Sequence, residues 1–197
     1  MDSRAEHERW MHRALEQADL AFENGEVPIG CVIVQSGRII GRGCNRVEAS
    51  GDASAHAEMI ALSAASATVG DWRLDGATVY VTVEPCLMCA GALLLARVER
   101  VVYGAPEPKF GAFGSRIDVR AIPGLNHQLE VESGFLADEA AERMRAFFKL
   151  VRRGGRVVEG GGLENRCGGN PTEGSNPSLS ASRSDEDDPD SRHRNGA

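Results

Sequence analysis

The chain has 197 residues, 42% hydrophobic, 26% charged and 5% aromatic, which fits one globular domain with some excess and excludes a collagen or a coiled coil. No stretch approaches the ~18 uninterrupted apolar residues of a membrane span, and the opening MDSRAEHERW is charged where a secretory signal is apolar; no membrane partner and a cytoplasmic location are expected. The net charge of −7 is uneven: residues 154–197 hold 5 basic and 8 acidic side chains, while the run 143–153 holds Arg143, Arg145, Lys149, Arg152 and Arg153 with no acid. A local basic surface therefore survives the acidic sum, although a solvated helix face would read the same way. Five cysteines are too few and too odd for a disulfide framework, which turns attention to Cys86 and Cys89 as metal or redox ligands.

In chain order, Trp10, Ala14, Ala18 and Met11, Leu15, Phe22 recur at helical intervals, which predicts an amphipathic helix over 6–22. Pro28 opens the β-rich run PIGCVIVQ, and Ser36 and Gly37 separate it from RIIGRG, a hairpin pattern. A polar loop over 45–54 leads to a second helix over 55–66 with Ser54 placed to cap it. ATVYVTV is a strand ended by Glu84 and Pro85, and Cys86 begins the apolar helix CLMCAGALLLA. RVVYG is the next strand. A Gly/Pro-rich loop over 105–115, a short strand QLEVES and a helix from 137 to about 151 complete the domain. Helices alternating with strands predict an α/β three-layer α/β/α sandwich around a mixed sheet. Residues 154–197 hold 9 of the 23 glycines, no aromatic residue and the run SDEDDPD, so the folded domain is expected to span 1–153 and a disordered tail 154–197.

The chemistry concentrates in two short motifs. His56-Ala57-Glu58 begins one helix, and Pro85-Cys86-Leu87-Met88-Cys89 begins another directly after a strand. Two cysteines three apart in a first helical turn share a face, where free N–H groups and the helix dipole favour thiolates. With His56 they make a His/Cys/Cys set, and zinc on three protein ligands keeps a fourth position for water, as a catalytic site requires. Glu58 is then available as a proton shuttle. The other readings are a Cys-x-x-Cys redox pair, or half of a four-ligand structural zinc site completed by Cys31 and Cys44, which also fit strand patterns as plain core residues. His7, His12, His127, Met59 and Met88 carry no such signal.

These motifs resemble the H-x-E…P-C-x-x-C signature of the zinc nucleoside deaminases. EVPIG, the Asn45-Arg46 pair, SAHAE, TVEPCLMCAGAL, RVVYGA, KFGAFGS, PGLNH and FFKLVRR extend the likeness over residues 8–153 to the bacterial tRNA-specific adenosine deaminases. The resemblance implies a cytidine-deaminase-like fold on a mixed five-stranded sheet, and a homodimer with one Zn2+ per subunit on His56, Cys86 and Cys89. It implies hydrolytic deamination of the wobble adenosine in the anticodon of an arginine tRNA, with Glu58 as the proton shuttle and the anticodon stem-loop as partner. Asn45 then hydrogen-bonds the flipped base beside Thr82, Val83 and Glu84, Val27 and Pro28 are apolar walls, and Glu107 and Lys109 lie near the target ribose and backbone. The basic run of Arg143, Arg145, Lys149, Arg152 and Arg153 gains a reason to touch phosphate. Glu107 stands where the family usually has aspartate, and Phe110 where it has a small residue or Thr, which bears on substrate detail. Alternatives are a free-base guanine or cytosine deaminase of the same superfamily, which has less need of the basic helix, and a zinc-stabilised binding module without turnover, which needs a closed site.

The tail has a second reading in nucleotides. Residues 152–181 span 30 codons, the length of a serine tRNA gene. Synonymous codons let 173–179 form a T arm, 161–166 an anticodon arm with GGA at its centre, 155–159 a D arm, and the ends pair. The expectation is a reading frame that runs through an adjacent serine tRNA gene, a dispensable tail and a Cys167 that holds no zinc; a disordered interaction tail is the other reading.

Overall fold

The computed structural model describes residues 4–152. The order of its elements follows the expected alternation, and five strands form one sheet in the order β2-β1-β3-β4-β5. β1 (Gly30–Gln35) lies antiparallel to both β2 (Arg38–Cys44) and β3 (Thr78–Val83), and β4 (Arg100–Ala105) and β5 (Glu130–Ser133) run parallel to β3. Ser36 and Gly37 both take positive φ, the two-residue turn whose twist matches that of the flanking strands.

Period-two alternation divides the apolar residues between two cores. Val32, Val34, Tyr80 and Val102 face α1 (Arg4–Glu23), where Trp10, Met11 and Ala14 meet them. Cys31, Ile33, Val79, Val81 and Val101 face α3 (Ala57–Val69) and α4 (Leu87–Leu95), which supply Ala61, Leu62, Ala65, Ala90 and Leu93. α5 (Ala137–Arg152) joins α1 on the first face through Ala140 and Leu15. The result is the three-layer sandwich on a mixed five-stranded sheet. Helices rich in alanine come close to strands that carry glycine: a Cβ on Gly30 would strike the backbone of Ala14 and Ala18, and one on Gly43 the backbone of Ala57 and Ala61.

The structure corrects several sequence-based boundaries. Within the expected polar loop, Val47–Ser50 forms a short helix, α2, closed by Gly51 at φ 61°. Ser54 does not cap the following helix: its hydroxyl and N–H both bond to Asp52 Oδ1, at 2.7 and 2.8 Å, so an Asx turn uses them, and His56 takes the N-cap position. β5 begins at Glu130, two residues later than expected, and a single 3-10 turn at Val119–Ala121 follows the Gly/Pro-rich loop. Arg153, Cys167 and the whole tail 154–197 lie outside the described residues.

Candidate active site

The site forms at the end of the sheet where β1 begins and β2 and β3 finish. His56 is the N-cap of α3 and Cys86 the N-cap of α4, while Cys89 sits in the first turn of α4. Two helix N-termini thus aim their dipoles at one spot, which favours negative charge there. His56 Nδ1 lies 3.6 Å from Cys86 Sγ and 3.5 Å from Cys89 Sγ. All three donor atoms fall within 4.8 Å of one another, and among the described residues no further His, Cys, Asp or Glu joins that group. Cys31, 0% exposed, is a core residue beneath α3, and Cys44 closes β2, so the four-cysteine structural site gains no support.

The donor set fits zinc in its spacing and its chemistry. Around a tetrahedral ion with bonds of about 2.0–2.3 Å, neighbouring donors stand roughly 3.3–3.8 Å apart, which the two N···S separations match. Hydrogen bonds from Cys89 and then His56 pull the Cys86 thiol down to about 4 against the opposing effect of burial, so one thiolate is ready-made. The hydrogen bond to Cys86 pushes Cys89 up, as expected for two thiols that share a proton, and the same thiolate holds the His56 imidazole above its ordinary range.

Glu58 follows one residue inside α3 and is 3% exposed. Burial pushes its carboxyl up to about 7, and the charges at Cys86 and His56 both act on it. A carboxyl that exchanges its proton near neutrality, beside the donor set and not among its members, is suited to carry protons.

The other expected residues stand on the strand ends and the loop at this end of the sheet. Asn45 follows β2, is buried, and its backbone N–H bonds to Ile29 O at 3.0 Å. Val27 is half-buried and Pro28 buried, on the segment entering β1. Thr82 is 0% exposed and its Oγ1 accepts from Gly30 N at 3.1 Å, which ties the ends of β1 and β3 together. Val83 ends β3 in the core. Glu84 is also buried: its carboxylate accepts from the N–H groups of Glu107, Phe113 and Ser115 at 3.1, 2.9 and 3.1 Å and so pins the loop over 107–115. That loop returns to the site, since Gly111 bridges Cys86 and the Ala112 N–H bonds to Pro85 O at 2.9 Å. Glu107 caps the Lys109 N–H at 2.9 Å, and Lys109 and Phe110 are exposed, Phe110 by 70%.

One participant escaped the sequence reading. Glu26, 1% exposed, accepts from Asn45 Nδ2 at 3.1 Å, Glu48 N at 3.2 Å and Ala49 N at 2.7 Å. A carboxylate oxygen only accepts, so Asn45 must turn its NH2 towards Glu26 and present its carbonyl oxygen elsewhere. The only sequence signal was an acid inside the otherwise apolar EVPIG.

The basic helix is less available than its sequence suggested. Arg143 is held by Asp19 of α1 through contacts of 2.6 and 3.0 Å, with Glu139 nearby. Arg145 and Lys149 are exposed and make no ion pair among the described residues, and Arg152 bonds to Phe148 O at 3.3 Å.

Comparison with known proteins extends this picture. Residues 4–105 match the family model for the cytidine and deoxycytidylate deaminase zinc-binding region. The tRNA-specific adenosine deaminase of Streptococcus pyogenes serotype M1 is 45% identical over 150 residues, covering 76% of this chain and 88% of the relative. That of Bacillus subtilis strain 168 is 47% identical over 146 residues, covering 74% and 91%. A solved structure from studies of A-to-I editing by tRNA:A34 deaminases aligns with a TM-score of 0.67 at 44% identity, covering 68% of this chain and 98% of that one. The guanine deaminase of Nitrosomonas europaea aligns with a TM-score of 0.62 at 27% identity, covering 71% and 83%. A His/Cys/Cys set at two helix starts, a buried glutamate beside it and a match running through all of them lead to one assignment: the chain belongs to the cytidine and deoxycytidylate deaminase zinc-binding family, together with these tRNA-specific adenosine deaminases.

Proposed function

We propose that this chain hydrolyses the wobble adenosine of a tRNA anticodon to inosine, releasing ammonia, with an arginine tRNA as its substrate. The observation that carries the reading is the buried Glu58 beside the His56, Cys86 and Cys89 donors, in a chain 45–47% identical to tRNA-specific adenosine deaminases. The identity to a guanine deaminase is much lower, at 27%. The reaction adds the oxygen of water to C6 of adenine and breaks the C6–N bond of the exocyclic amine.

His56, Cys86 and Cys89 would hold the zinc, which when bound supplies the Lewis acidity that makes water nucleophilic at neutral pH. Glu58 takes a proton from the attacking water and delivers protons to the ring and to the departing amine, so that ammonia and not an amide ion leaves. Asn45, oriented by Glu26, offers a hydrogen-bond acceptor to the extruded nucleotide, with Val27 and Pro28 as apolar walls. Glu107 and Lys109 project from the pinned loop towards the ribose and its backbone. On α5, Arg145, Lys149 and Arg152 are exposed to meet phosphate, whereas Arg143 is committed to Asp19. Acting on tRNA sets the cytoplasm as its location.

The working form is a homodimer. α4 is apolar on all sides, and Leu87 and Leu95 are 56% and 75% exposed, with Met88 and Trp72 also uncovered. A second copy is the natural cover for such a surface in a zinc deaminase that must keep α4 in place.

The test is to incubate the zinc-loaded protein with unmodified arginine tRNA and read position 34 as inosine by sequencing, with free guanine and cytosine as competing substrates. Inosine formation that disappears in Glu58→Gln while zinc content is retained supports the reading, because an amide cannot accept the proton; Cys86→Ala should lose zinc. Turnover of free guanine with an untouched tRNA, or equal zinc loss in both variants, refutes it.

A further inference from the structure

One cleft among the described residues has a lining that includes none of the zinc ligands. About 550 Å3 in volume, it lies between α1 and the β1–β2 hairpin, and Arg9, Trp10, Arg13, Arg38 and Arg42 line it. Arg9 stacks its guanidinium 3.9 Å above the Trp10 ring, which fixes the charge in place. Arg13 is neutralised by Glu16 at 2.6 Å, but Arg9, Arg38 and Arg42 make no ion pair among the described residues. Three uncompensated cations in a chain of net charge −7 are a local exception.

Position along β2 connects this cleft to the active site. Arg38 and Arg42 lie on β2, an edge strand of the sheet, and Arg46, also exposed and without an ion pair among the described residues, follows Asn45 directly. At about 3.3 Å per residue, Arg38 is some 13 Å from Arg42 along β2, and Arg46 stands two residues past the end of the strand. Basic residues on an edge strand can serve only to keep it from pairing with another sheet. That account leaves out Arg9, which belongs to α1 and yet leans into the same cleft. The alternative basic surface, α5, departs from the same end of the sheet but has lost Arg143 to Asp19.

We propose that the β2 edge is a phosphate track: Arg46, Arg42, Arg38 and Arg9 carry the sugar–phosphate backbone of the tRNA stem leading away from the anticodon loop, while the wobble base occupies the zinc site. The proposal rests on the tRNA reading above and adds to it the face on which the RNA lies. Charge complementarity and continuity with the catalytic end argue for RNA as the occupant. A spacing of about 13 Å between Arg38 and Arg42, with Arg46 beyond the strand end, suits a polyanion better than a single small phosphate compound.

The test uses the full-length, zinc-loaded protein and complete arginine tRNA. Binding is followed by fluorescence anisotropy across a salt series, with inosine formation measured separately. The double variant Arg38→Gln/Arg42→Gln is compared with Arg145→Gln/Lys149→Gln on α5. Each lost phosphate contact lowers the slope of log K against log salt by roughly 0.7–0.9, so the β2 double variant should lower it by about 1.5. Its KM for tRNA should rise about tenfold, with zinc content, melting and sedimentation as in the wild type. An unchanged slope in that variant, with the wild type active on tRNA, overturns the track alone. A slope lost only in the α5 variant leaves α5 as the phosphate surface without the β2 edge and also overturns the track. A changed sedimentation coefficient in place of a changed slope assigns the β2 edge to a protein contact. A wild type that neither binds nor deaminates tRNA overturns the underlying reading instead.

Discussion

Glu26 has no apolar role, yet it is almost fully enclosed: one of its bonds orients Asn45 and the other two hold the first turn of α2. Replacing it with alanine strands the amide of Asn45 and two backbone N–H groups, which should cost about 1–3 kcal/mol of stability, measurable as a lower Tm. Glu26→Gln is the sharper test. Glutamine offers one oxygen and one NH2 where the carboxylate offered two oxygens, so the Asn45 amide loses its single enforced orientation. Expected is a loss of about tenfold in kcat/KM, equivalent to about 1.4 kcal/mol, with most of the melting temperature retained. Equal losses of activity in Asn45→Ala and in the double variant Glu26→Gln/Asn45→Ala would show that Glu26 acts through Asn45.

At the scale of elements, the site depends on how closely helices approach the sheet. α3 can deliver His56 only because Gly43 leaves room for the backbone of Ala57 and Ala61. Gly43→Ala places a methyl group against helix backbone, which cannot swing aside as a flexible side chain would. The expected cost is about 3 kcal/mol by thermal or urea unfolding, accompanied by weaker zinc retention in a chelator competition, because the displaced helix start carries a ligand. Wild-type zinc affinity in that variant would separate the packing of α3 from the metal site. Much of this was legible in sequence: strands, hairpin and long helices followed from period and turn chemistry. Ser54 was misread because an Asx turn from Asp52 competes for the same hydroxyl, a choice between two local hydrogen bonds that spacing does not decide.

For the whole molecule, the proposed homodimer would put α4, the helix that carries Cys89, at its interface. Leu95→Asp, at a position 75% exposed, should leave the subunit fold intact and shift sedimentation from dimer to monomer; an unchanged dimer would move the interface elsewhere. The tail is the other matter at this scale. If residues 154–197 reflect an overlapping serine tRNA gene, truncation after Arg153 should leave zinc content, melting and deamination at wild-type levels. Activity lost on truncation would make the tail part of the enzyme, and genomic DNA unable to fold as a tRNA across 152–181 would remove the gene overlap as its origin.

The sequence by itself determined the chemistry that depends on near neighbours. His56 and Glu58, two apart, and Cys86 and Cys89, three apart, each belong to one helix start, so short spacing alone keeps the members of each pair near one another. It also determined the layered fold, since β-branched runs bounded by turn residues alternate with helical stretches along the chain. Only the tertiary structure decided what long separations control. Asp19 disarms Arg143 across 124 positions, Glu26 orients Asn45 across 19, and Glu84 reaches Ser115 across 31. Arg9 and Arg38 share a cleft because α1 crosses the β1–β2 hairpin. A charged or polar side chain has no periodicity that reveals its partner, and whether it binds substrate, pins a loop or is neutralised depends on which backbone the fold brings to it.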